Sequence, residues 1–217
     1  MWLALLVGLG IGSALNVCAD RLPRSGSAKL WRPYRAGRWG VLLALSAGLC
    51  VYLQLVHGWS SALVIQAAYC SLLLLIAVID LEHRLVPNTL VVCGLALVFL
   101  FSAWQPALGL REATWGAVLG GGIFALLAVG RRNALGMGDV KLALLIGMMT
   151  GFPWVLQALT IGILLGGVAA TLLLLTKMVQ PKEYMPYAPY LVAGCIVTLL
   201  YGQAIAGWYG SLIGGGR

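Results

Sequence analysis

Long apolar runs separated by short charged segments constrain this chain more than any other feature. A helix needs about 20 apolar residues to cross a bilayer, and about 17 at the short limit. Measured that way, the sequence divides into eight runs, approximately Trp2–Ala19, Trp39–Val56, Ala62–Ile79, Thr89–Trp104, Thr114–Gly130, Asp139–Gly151, Val155–Thr176 and Tyr187–Trp208. The expected fold is therefore an all-α membrane protein with about eight transmembrane helices in a single polytopic domain over residues 1–217. The sixth run is short, so it is expected either to start before Asp139 or to rest at the bottom of a cavity.

The balance of residues supports that class. The chain is 61% hydrophobic and only 9% charged, whereas soluble domains are about a quarter charged. A net charge of +8 invites a nucleic-acid partner. The basic residues instead fall between apolar runs, as topology signals do, so the expected partner is the lipid bilayer and no nucleic acid. Cys18, Cys50, Cys70, Cys93 and Cys195 lie in or beside apolar runs without a paired spacing. They read as small hydrophobes and not as a metal or disulfide framework. The first run lacks a basic segment before it, so it reads as a retained helix and not a secretory signal.

Charge sets the orientation. With the loops assigned alternately to two sides, all of the 14 Lys and Arg residues except Arg111 and Arg217 fall on the same side. Cytoplasmic loops carry the excess of Lys and Arg. That side is thus cytoplasmic, and both termini face the periplasmic or outer side. Trp2, Trp104, Trp154 and Trp208 then gather at the outer boundary, as in an aromatic belt.

Asp80 closes the third run and Asp139 opens the sixth, both on the cytoplasmic side. Ionisable groups at membrane segments are costly and mark functional sites by default. Two carboxylates in a low-dielectric site cannot readily both ionise, so such a pair shares a proton. One can then activate water while the other protonates a carbonyl oxygen, without a metal or other cofactor. The plainer alternative is that each Asp ends or caps its own helix.

Four segments carry a resemblance. Ile79-Asp80-Leu81-Glu82-His83-Arg84-Leu85-Val86-Pro87-Asn88 resembles the first signature of type IV prepilin peptidases. Gly136-Met137-Gly138-Asp139-Val140-Lys141 resembles their second, the GxGD signature shared with presenilin-like intramembrane proteases. Gly12 to Asn16, followed by Arg21-Leu22-Pro23-Arg24, is similar to the family's N-terminal segment, and Pro186-Tyr187-Ala188-Pro189-Tyr190 to its late proline-aromatic motif. The resemblance implies an inner-membrane aspartic endopeptidase. Such enzymes remove short basic leaders from type IV prepilins or type II secretion pseudopilins, cutting after a glycine at the cytoplasmic face. Asp80 and Asp139 carry over as the catalytic pair, with Glu82, Gly136, Gly138, Lys141, Pro186 and Pro189 as supporting or substrate-binding residues and no metal.

Two departures stand out. Many members of the family carry a cysteine-rich first cytoplasmic loop and also methylate the new N-terminus, whereas the short basic segment 20–38 has no cysteine. Either the chain is a peptidase without methyltransferase activity, or methylation does not need that loop. Asn88 also replaces the Asp that many members carry after the proline, and it cannot ionise.

Several side chains keep two readings. Glu82 either receives the basic leader or tunes the pair, or it is a solvated loop residue. Lys141 either offsets the Asp139 charge or snorkels to the interface. Glu183 is expected in a solvated loop. Gly120 to Gly122, Gly166 and Gly167 allow close helix contacts. The competing function is a proton-coupled transporter with Asp80 and Asp139 as the relay. Transporters usually bind near the bilayer midplane between internal repeats, and no repeat is evident here.

Overall fold

In lipid, every backbone N–H and C=O must find its partner within the protein, and a helix does so within one segment. The computed structural model describes residues 2–21, 34–102, 109–130, 136–176 and 186–214, and all regular elements among them are α-helices. They are α1 (Trp2–Arg21), α2 (Tyr34–His57), α3 (Ser61–His83), α4 (Asn88–Phe101), α5 (Leu110–Gly130), α6 (Met137–Thr150), α7 (Trp154–Leu175) and α8 (Ala188–Gly214). Six of them, all but α4 and α6, are long and apolar enough to cross a membrane. The described α4 and α6 have 14 residues each, about 21 Å at the helical rise. Large apolar side chains such as Leu126, Val129 and Leu175 remain exposed, as lipid-facing surfaces require.

Contacts divide the chain into two compact units, Met1–Pro106 and Ala107–Arg217. In the first unit α1 packs along α2, and α3 contacts α1, α2 and α4. The α1–α2 approach is close because Gly8 faces the backbone of Ser46 and Ala47. A methyl group at Gly8 would come within 2.6 Å of the Ala47 Cα. Tyr69 of α3, fully buried, packs its ring against Phe101 of α4 at 6.1 Å between centroids.

In the second unit α5 packs along α6 and α7 along α8, while α6 also touches α7 and α8. Gly116 of α5 lies against Gly147 of α6 so tightly that a Cβ on either would strike the other's carbonyl oxygen. Gly120 and Gly121 face Ala143 and Leu144 in the same crossing, whereas Gly122 and Gly167 face open space. Gly151 ends α6 with φ 72°, a conformation that suits glycine alone.

The helix bounds differ from the hydropathy runs by several residues at some ends, and two of these differences bear on the site. α2 begins at Tyr34 instead of Trp39, which puts Arg38 inside a helix, and α3 continues through Glu82 and His83. Apolarity stops at a charge, but a helix continues where the charge is matched. Pro23, Arg24, Lys29, Arg32, Trp104, Arg131, Arg132, Lys177, Lys182, Glu183 and Arg217 lie outside the described residues.

The α5–α6 crossing yields a direct expectation. Gly147→Val forces the helices apart and should cost about 1–3 kcal/mol, the usual scale of overpacking. It should lower the melting temperature of the detergent-solubilised protein. Gly122→Ala, which meets nothing within 4 Å, should not lower it.

Candidate active site

Asp80 belongs to the first unit. It sits in the last turn of α3 and is 4% exposed. The helix ends because Arg84 turns into the left-handed region at φ 54°, and its N–H donates to the Asp80 carbonyl at 2.8 Å. Pro87 then opens α4: its carbonyl accepts from Leu90 N–H at 3.1 Å and from Val91 N–H at 3.3 Å. The αL residue and the proline together make a sharp stop, and this stop holds the Asp80 turn between two helices.

Asp139 belongs to the second unit, in the first turn of α6, and is 5% exposed. It is not the helix cap. Gly136 occupies that position, with Met137 and Gly138 after it. Asp139 is the third helical residue, and its carboxylate accepts a hydrogen bond from the Gly136 backbone N–H. An acid at this position commonly reaches back in this way to the cap, where the helix dipole favours it. An ionised carboxylate has about four acceptor sites, so this bond orients Asp139 without exhausting it. The glycines of the motif thus have a local role: Gly136 takes the cap position, and neither it nor Gly138 adds a side chain beside the N–H that Asp139 accepts.

Tyr187, just before α8, lies within electrostatic reach of this carboxylate. Burial raises the pKa of its phenol, and the neighbouring Asp139 charge adds to the shift. Pro186 and Pro189 flank it where α8 starts. Pro189 lies in the first turn, where the missing N–H costs nothing, and the Tyr187 carbonyl accepts from Tyr190 N–H at 3.2 Å. Gly166 of α7 faces the Tyr187 ring, which any side chain there would displace. Lys141 lies two residues after Asp139 on α6 and is half-buried. Tyr187 was not singled out by sequence reasoning, although it stands inside the proline-aromatic motif.

Glu82 is not a solvated loop residue. It lies in the last turn of α3, and both its oxygens accept from Arg38 Nη1, at 2.8 and 2.7 Å. Arg38 Nη2 donates to Asp20 Oδ1 at 2.7 Å, and Nε donates to Asn16 Oδ1 at 3.1 Å. Arg38 is 2% exposed and Asn16 fully buried. From sequence Arg38 reads as a loop charge. The available signal was the placing of Asn16 and Asp20 four residues apart, on one face of α1.

Residues 67–171 match the model of the type IV leader peptidase family, a segment that contains both Asp80 and Asp139. The chain is similar to this family over that segment. It is 28% identical over 152 residues to the prepilin leader peptidase/N-methyltransferase of Bacillus subtilis, covering 70% of the chain and 61% of that protein. It is 29% identical over 144 residues to the Stutzerimonas stutzeri protein of the same name, covering 63% and 49%. With the Pseudomonas putida protein, also of that name, it shares 31% over 171 residues, covering 72% and 57%. The chain thus spans between about half and three-fifths of these relatives' length. No solved structure gives a significant match. The long apolar helices and the bacterial family members together indicate a multi-pass bacterial membrane protein.

The Arg38 cluster makes unequal demands on its carboxylates. The Glu82 side chain is 13% exposed and that of Asp20 is 37% exposed. Removing a partner from a buried charge pair costs roughly 3–5 kcal/mol, while solvent screens exposed pairs. Glu82→Ala should therefore lower the melting temperature of the purified protein more than Asp20→Ala does.

Proposed function

We propose that this chain is an aspartic endopeptidase of the bacterial inner membrane. It removes the short basic leader of type IV prepilins or type II secretion pseudopilins, cutting after a glycine on the cytoplasmic side. The observation that carries this reading is that the family-matching segment holds two buried aspartates, Asp80 at the end of α3 and Asp139 at the start of α6. Relatives named prepilin leader peptidase support the substrate class.

The reading requires the two carboxylates to act on one peptide bond, within the single peptidase domain expected over residues 1–217. One carboxylate is ionised and takes a proton from water, which attacks the carbonyl carbon. The other is protonated and gives its proton to the carbonyl oxygen. The tetrahedral intermediate then collapses as a proton passes to the leaving amine. Both steps are proton transfers, and a shared-proton pair supplies them. Tyr187 lies on the Asp139 side, Lys141 two residues further along α6 offsets the charge of this helix end, Gly136 and Gly138 shape the turn that carries Asp139, and Pro186 and Pro189 set Tyr187 in place.

The proposed topology has eight spans with both termini outward, supported by the distribution of Lys and Arg. The shortness of α6, about 21 Å against a hydrocarbon core of about 30 Å, supports a water-filled recess that leads to Asp139. The relatives' names also include N-methyltransferase. Segment 20–38 lacks the cysteines of methylating family members, which supports a peptidase alone.

Co-expression with a prepilin tests this reading. Wild type should cut after the glycine in the presence of chelator. Asp80→Asn and Asp139→Asn, at matched membrane levels, should each cut at least about 10²-fold more slowly, the scale of lost acid–base catalysis. Mass spectrometry of the new N-terminus reads both the cut and any added methyl group. Wild-type cutting rates in either variant would refute the paired mechanism. Proton flux in liposomes without cleavage would favour the transporter.

A further inference from the structure

One guanidinium joins three helices of the first unit. Arg38 of α2 binds Asn16 and Asp20 of α1 and Glu82 of α3, and every nitrogen of its fork is engaged. The group is nearly sealed from solvent and carries two carboxylates for one cation. Such a cluster is a poor way to gain stability, because apolar packing between the same helices avoids the desolvation cost. A planar fork whose three nitrogens each hold a different side chain on two neighbouring helices does something apolar packing does not. It fixes the rotation and the axial height of each helix it touches.

The helix end held in this way is the one that carries Asp80. Glu82 and Asp80 share the last turn of α3, and the Arg84 N–H closes that turn on the Asp80 carbonyl. Side chains two residues apart on a helix point to roughly opposite sides. Arg38 therefore acts on Asp80 through Glu82 and the intervening backbone. Reacting groups must be held to about half an ångström, and a helix terminus is where such precision is lost first, by fraying.

We propose that Arg38 is a positioning residue for cleavage, whose bond to Glu82 sets the placement of the Asp80 carboxyl. This inference rests on the peptidase reading above and assigns Glu82 to Arg38 and not to the leader. Two variants test it at matched amounts of folded protein, with kcat and KM measured separately on a purified prepilin. Arg38→Lys keeps the charge and loses the fork. The triple variant Asp20→Asn, Arg38→Met, Glu82→Gln removes all three charges together, so no buried charge is left unmatched, and it should melt at or above the temperature of Arg38→Met alone.

Both should show kcat lowered on the order of 10–100-fold, the scale of a misplaced reacting group, with KM unchanged. A merely structural cluster would change the amount of folded protein and leave kcat intact. Wild-type kcat in either variant overturns the inference, and so does a rise in KM alone, which would make Glu82 a leader contact. If the wild type cuts no prepilin, the peptidase reading fails and takes this inference with it. If the wild type cuts and the variants match it, only this inference fails.

Discussion

Desolvation of charge is the constraint on which the rest of the structure depends. A chain with 9% charged residues and helices that are apolar on all sides has few places to put an ion at low cost. Each buried charge therefore needs a partner in an adjoining element. Arg38 is the clearest case: its burial would be prohibitive alone and is made possible by Asn16, Asp20 and Glu82 converging on it. The helices α1, α2 and α3 are thereby tied at one end.

Helix packing follows a second consequence of an apolar medium. Where lipid is as greasy as leucine, helices gain little from burying large side chains and associate through close van der Waals contact and polar ties. Gly8 against Ala47 and Gly116 against Gly147 bring backbones together in the two units. The same device shapes the surroundings of Asp139. Gly166 leaves room for the Tyr187 ring, and the prolines beside Tyr187 hold it at the start of α8. Packing choices on α7 and α8 thus reach a carboxylate on α6.

Much of this was legible in the sequence. Eight apolar runs correspond to eight described helices, because the need to satisfy the backbone leaves a long apolar segment no other regular form. Asp80 and Asp139 were expected at helix ends, and they are found there. The surroundings of the site were harder to read. Arg38 looked like a loop charge, and one of the two readings of Glu82 left it solvated, since hydropathy treats a charge as a break and knows nothing of its partner. The plainer alternative made Asp139 a helix cap, but Gly136 takes that place. A residue without a side chain allows the carboxylate to reach back from the third helical position.

The sequence by itself determined the helical class, the positions of the helices within a few residues and the two aspartates as the costly groups. These follow from local quantities, namely the length of an apolar run and the energy of one charge near lipid. Only the tertiary structure decided which charges are buried, that Arg38 binds Glu82, and that Tyr187 comes within electrostatic reach of Asp139. These depend on elements far apart in the chain meeting face to face. No run of neighbouring residues encodes that meeting, because an ion pair or a close contact is a property of two segments and of the geometry that joins them.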